Sequence, residues 1–105
     1  MFVVLLINPN NNLVLSDIEI EDRDLQSLFY EKVYPEGEVD TIEKVYYGNR
    51  VYYEKSPSGN DLIYLDLDLV ASFVEEYLMD NEKSDTFIST YNDQTKNFQC
   101  VLFQG

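Results

Sequence analysis

Phe2 to Ile7 is an unbroken apolar run rich in β-branched residues, the pattern of a strand covered on both faces. Asn8-Pro9-Asn10-Asn11-Asn12 follows as a turn, because Pro fixes φ and Asn tolerates left-handed backbone. Leu13 to Ile20 then alternates, with Ile18 and Ile20 facing opposite to Asp17, Glu19 and Glu21, which predicts the second strand of a hairpin. From Asp22 to Val33 the period changes. Leu25, Leu28, Phe29 and Val33 recur at helical spacing. Asp22 or Glu21 is suited to cap that helix, and Tyr34-Pro35-Glu36-Gly37 ends it.

Thr41 to Lys55 carries Gly48-Asn49 between two aromatic runs, a two-residue hairpin turn expected to be type II′. That register sets Tyr46 opposite Val51, Val45 opposite Tyr52 and Glu43 opposite Glu54. Ser56 to Asn60 reads as the next turn, and Asp61 to Leu67 as a third strand of the meander. Asp68 is the expected N-cap of a second helix over Leu69–Met79, with Val70, Phe73, Val74, Tyr77 and Leu78 inward. Thr86–Tyr91 and Asn97–Phe103 are expected to form a closing hairpin. The order becomes β-β-α-β-β-β-α-β-β. It predicts one α+β domain over residues 1–105, an antiparallel sheet with two helices packed on one face. The first seven elements resemble, in their order alone, longin and roadblock domains, small scaffold folds of trafficking and signalling complexes. The closing hairpin departs from the helical ending of longins.

Charge changes this picture. There are 20 acidic and 7 basic residues, a net of −13, and every acid falls between Asp17 and Asp93. The ends therefore read as core and the middle as surface. Such a balance opposes direct contact with nucleic acid or an anionic membrane, both of which need a positive surface. No stretch approaches the ~20 apolar residues of a membrane helix, and no secretory leader is apparent, so a cytoplasmic protein is expected. Val101-Leu102-Phe103-Gln104-Gly105 resembles a cleavage site of picornaviral cysteine proteases, but Cys100 precedes it and it is read as native.

The residues for catalysis are largely missing. Histidine is absent, which removes the usual general base and a common metal ligand. Cys100 is alone, with nothing to activate it, and reads as a core residue. Asp66-x-Asp68 begins like a calcium loop, but Ala71 stands where glycine is needed and Tyr77 where glutamate is needed. The four glycines are not grouped as a phosphate loop. No enzyme activity, cofactor or metal is expected.

The acids themselves are the most informative feature. Asp17, Glu19 and Glu21 recur every two residues on a strand, and Glu36, Glu38 and Asp40 repeat the spacing. Such side chains share a face about 6.8 Å apart, comparable to neighbouring phosphates along a nucleic-acid strand. Asp22 and Asp24 extend the first group, while Glu75, Glu76, Asp80 and Glu82 add a helical one. The expected function is a small acidic inhibitor of the kind bacteriophages make. It would mimic nucleic acid and block a basic nucleic-acid-binding protein. Tyr47 and Tyr52 of the central hairpin would supply apolar anchoring, and a homodimer would extend the negative surface. The alternative is a longin- or roadblock-like scaffold subunit whose charge is incidental.

Overall fold

A computed structural model describes residues 1–38, 44–54, 62–93, 95 and 97–104. Strands β1 (Phe2–Ile7) and β2 (Val14–Ile20) form the expected hairpin, followed by α1 (Arg23–Lys32). Next come β3 (Gly37–Glu38), β4 (Lys44–Tyr47), β5 (Arg50–Glu54) and β6 (Leu62–Tyr64). Helices α2 (Leu67–Tyr77) and α3 (Glu82–Tyr91) precede the last strand, β7 (Gln99–Gln104). The class is α+β. Five strands make an antiparallel sheet in the order β2-β1-β7-β6-β3, and β4-β5 is a separate two-stranded sheet.

The sheet is covered on both faces. Val4, Leu6, Ile18, Ile20, Cys100 and Leu102 pack with Phe29 of α1, Phe73 and Val74 of α2, and Phe87 of α3. Alternate residues of the same strands, Val3, Leu5, Ile7, Val14 and Val101, pack with Val45, Tyr52 and Tyr53 of the β4-β5 hairpin. This double burial is why β1 is continuously apolar. Val101 and Leu102 are fully buried in β7, which lies between β1 and β6, so Val101–Gln104 of the protease-like run belong to a central strand.

Three expectations are corrected. The closing hairpin is replaced by a third helix, with Thr86–Tyr91 helical and β7 alone after it. Positions 84, 87, 88 and 91 form the inward or half-buried stripe of α3. Ser84 stands where an apolar residue would have announced the period, and its hydroxyl donates to the Leu78 carbonyl and so tolerates burial. Thr86, Ile88 and Thr90 give the same segment a strand-like composition. Asn81 starts the helix by accepting from the Ser84 amide at 2.9 Å.

The second correction is the N-cap of α2. It is Asp66, whose carboxylate accepts from the amides of Asp68 (2.9 Å) and Leu69 (3.2 Å). Asp68 sits in the first turn and accepts from the Tyr91 hydroxyl at 2.5 Å, tying α2 to α3.

The third concerns the meander, because β6 joins the main sheet and leaves the β4-β5 hairpin. The turn itself is as read: Gly48 has φ +61° and Asn49 does not share a positive φ, the type II′ arrangement. Tyr46 lies opposite Val51, but a bulge then places Val45 opposite Tyr53 and Lys44 opposite Glu54. The result is a 2.9 Å Lys44–Glu54 ion pair. Glu43, Ser56–Asn60 and Asp61 lie outside the described residues.

Gly48 also yields a clean test of backbone strain. Nothing lies within 4 Å of where its Cβ would be, so Gly48→Ala costs only the left-handed conformation. We expect a loss of about 1 kcal/mol in urea unfolding, with an unchanged m-value.

Candidate functional site

The strand acids do not form one surface ladder. β2 turns Asp17 and Glu19 toward the hairpin layer, and Asp17 is only 3% exposed. Lys83 of α3 donates to the Asp17 carboxylate at 3.2 Å. The bulge at Tyr52 aims that ring inward, and its hydroxyl donates to Asp17. Burial, with this hydrogen bond second, raises the Tyr52 phenol above the ordinary tyrosine range. Arg50 lies over the Tyr52 ring, 4.9 Å from its centroid, and its Nη1 is 2.8 Å from Glu19 Oε1. The hydrogen bond to Glu19 raises the Arg50 pKa.

Asp17, Glu19, Arg50 and Lys83 thus form a balanced cluster of two acids and two bases, locking β2, the hairpin and α3 together. Asp17 is therefore corrected from a partner-facing position to a buried structural one. Tyr52 is corrected likewise: it is 6% exposed and used inside. Sequence reading missed Lys83 and Arg50 because no local pattern links them to β2.

Glu21, Asp24, Glu36, Glu38, Glu75, Glu76 and Asp80 are exposed. Asp22 is exposed too, and caps α1 by accepting from the Leu25 amide at 3.0 Å. Asp40 lies outside the described residues. The structure divides these acids by position. Glu38 lies in β3 and Glu36 just before it, at the opposite edge of the sheet from β2, so they stand roughly 19 Å away across four strand spacings. The two alternating runs are therefore not one array.

The start of α1 and the start of α3 do converge. A groove of about 610 Å³ between them is lined by Glu19, Glu21, Asp22, Glu82 and Lys83 together with Ile18, Ile20, Leu25, Leu78 and Asn81. Its rim is acidic and its floor apolar. A smaller cavity of about 150 Å³ lies next to it, where Tyr47 and Thr86 meet Ser16, Asp17, Glu82 and Lys83.

Tyr47 remains 40% exposed. Its neighbour Tyr46 joins Leu13, through an isolated bridge, and Val51, its cross-strand partner, in an exposed apolar patch on the hairpin. Cys100 is buried in the helix-side core, and burial pushes its thiol far above the usual range. Among the described residues no group of three His, Cys, Asp or Glu is placed to hold a metal ion. No helix among them is long and apolar enough to cross a membrane.

Comparison with protein-family models, with curated proteins and with solved structures finds no match.

Proposed function

We propose that this protein is a small acidic binding protein, not an enzyme, that occupies the nucleic-acid site of a basic partner and blocks it. The observation that carries this reading is the charge of the helical layer. From Asp66 to Asp93 the chain holds eight acids and one base, and that base, Lys83, is turned onto Asp17. Glu75, Glu76, Asp80, Glu82 and Asp85 are all exposed. A rigid surface of this sign attracts a groove built for phosphates over long range. Helix-borne and α1-start carboxylates, rather than a strand ladder, supply the mimicry. Bacteriophage inhibitors of host chromosome or defence proteins have this character, and host cytoplasm would be the setting. A homodimer would enlarge the surface.

The test is capture from a bacterial lysate with elution in a salt gradient. A basic DNA- or RNA-binding protein should elute, its affinity falling at least about tenfold between roughly 0.1 and 0.5 M salt. Added nucleic acid should compete with the protein for it. A salt-resistant partner with no basic groove, or one that still binds nucleic acid when saturated, overturns the proposal.

The second reading is a scaffold subunit. It draws support from the exposed Leu13, Tyr46 and Val51 patch, since contiguous apolar surface marks interaction sites. The longin-like element order supports it weakly, because β6 pairs with β7 in the main sheet and β4-β5 is a separate sheet.

A further inference from the structure

We infer that the groove between the starts of α1 and α3 is the anchor point of the interface, and that it takes arginine side chains of a basic protein segment. This deepens the acidic-binding reading and rests on it. The groove, at about 610 Å³, falls in the range of pockets that enclose small ligands, so it holds more than one side chain of a docking segment. Its floor is apolar. Ile20 is buried, whereas Leu25 and Leu78 are half-buried and keep surface facing the groove. Its rim carries the exposed carboxylates of Glu21, Asp22 and Glu82. Lys83, the basic residue in the lining, pairs with Asp17 at 3.2 Å and with Glu19 at 4.0 Å, so its charge is met by these two acids of β2.

An apolar floor under an acidic rim matches an amphipathic side chain. The aliphatic stem lies along Leu25 and Leu78, and the guanidinium head reaches the carboxylates. Arginine fits better than lysine. Its planar fork donates two parallel hydrogen bonds to one carboxylate and sheds water more readily. Asp22 spends one oxygen on the Leu25 amide and Glu19 is paired with Arg50, so among the described residues Glu21 and Glu82 are the lining carboxylates with both oxygens available for a fork. Charge alone does not require this place. Glu75 and Glu76 on α2 are equally acidic but do not line the groove.

The contrast gives the experiment. Fluorescent hexa-arginine and hexa-lysine peptides are titrated at low salt against the full chain, against Glu21→Gln/Glu82→Gln, and against Glu75→Gln/Glu76→Gln. Both double variants change the net charge equally. The groove pair should weaken hexa-arginine by about tenfold and the α2 pair by no more than about twofold. Hexa-lysine should bind more weakly than hexa-arginine, and the Leu25 and Leu78 methyl NMR signals should move on binding. Equal losses in the two double variants, or unmoved methyl signals, overturn the groove while leaving charge-driven binding intact. Failure of hexa-arginine to bind the unaltered chain also overturns the groove. The acidic-binding reading fails separately, if the partner taken from lysate is insensitive to salt and to both double variants.

Discussion

Asp17→Lys is expected to unfold the protein or lower its melting temperature by at least about 12 °C, whereas Glu21→Lys leaves it nearly unchanged. The two positions are four residues apart at the spacing of one strand face, but β2 ends at Ile20 and Glu21 lies just past it, and their surroundings are opposite. Asp17 is 3% exposed and accepts from Lys83 and Tyr52. A lysine there leaves the buried Tyr52 hydroxyl without its carboxylate. It also adds an ammonium beside Lys83 and near Arg50. The new ammonium sits at a buried position with no carboxylate in place to meet it, and an uncompensated buried charge costs about 3–5 kcal/mol, a large share of the ~5–15 kcal/mol that holds a domain together. In a domain of this size each kcal/mol moves the melting point by about 4–8 °C. Asp17→Asn keeps an acceptor for Tyr52 and should cost about 1–2 kcal/mol. Glu21 is exposed, so its reversal should stay within about 0.5 kcal/mol. Thermal unfolding followed by circular dichroism measures all three. An Asp17→Lys protein that melts like the parent would return Asp17 to the surface and restore the strand ladder as a binding array. Reversing Asp17, Glu19 and Glu21 together would confuse lost folding with lost binding. Glu21 and Glu82 are the informative positions.

The contrast between Asp17 and Glu21 also shows what local pattern conveys. β1, β2, α1 and the inward face of α2 are legible because their apolar periods are intact and their breaks fall at Pro, Gly or Asp. α3 is not, because Ser84 occupies an inward position and the β-branched Thr86, Ile88 and Thr90 follow it. The type II′ turn is legible from Gly48-Asn49, since the turn is decided by two residues. The bulge at Tyr52 is not, because it depends on packing against the sheet. Which strand neighbours which is not written locally either: β7 pairs with β1 across the whole chain.

The same limit governs the site. The acids are visible by counting, but an alternating strand face has no label saying which side is solvent. Asp17 and Glu19 lie on a face that the hairpin covers, and the bases that neutralise them come from β5 and α3. Asp22 looks like an ordinary N-cap and Glu82 like an ordinary first-turn acid, both favoured at a helix start. Only the convergence of the two helix starts over Leu25 and Leu78 turns them into one rim.

That convergence depends on how α1 is held, so Phe73→Ala should damage both stability and binding. Phe73 is 2% exposed and meets Phe29 edge-on at 5.2 Å, with Tyr77 at 4.8 Å on its own helix. Phe29 is the fully buried side chain of α1, so this ring pair is the main bolt between α1 and α2. Truncating a buried phenylalanine costs about 3–5 kcal/mol through lost transfer energy and the cavity left behind. A fall of about 12 °C or more in the melting temperature is expected. Phe73→Leu conserves more volume and should cost less than half as much. Well below its melting point, the folded Phe73→Ala protein should still bind hexa-arginine several-fold more weakly. Freed from α2, α1 no longer fixes Leu25, Glu21 and Asp22 against the start of α3. A large melting loss with unchanged peptide affinity would separate the groove from α1 and place binding on α2 and α3 alone. A small melting loss would mean that the ring pair is not what holds the helical layer to itself.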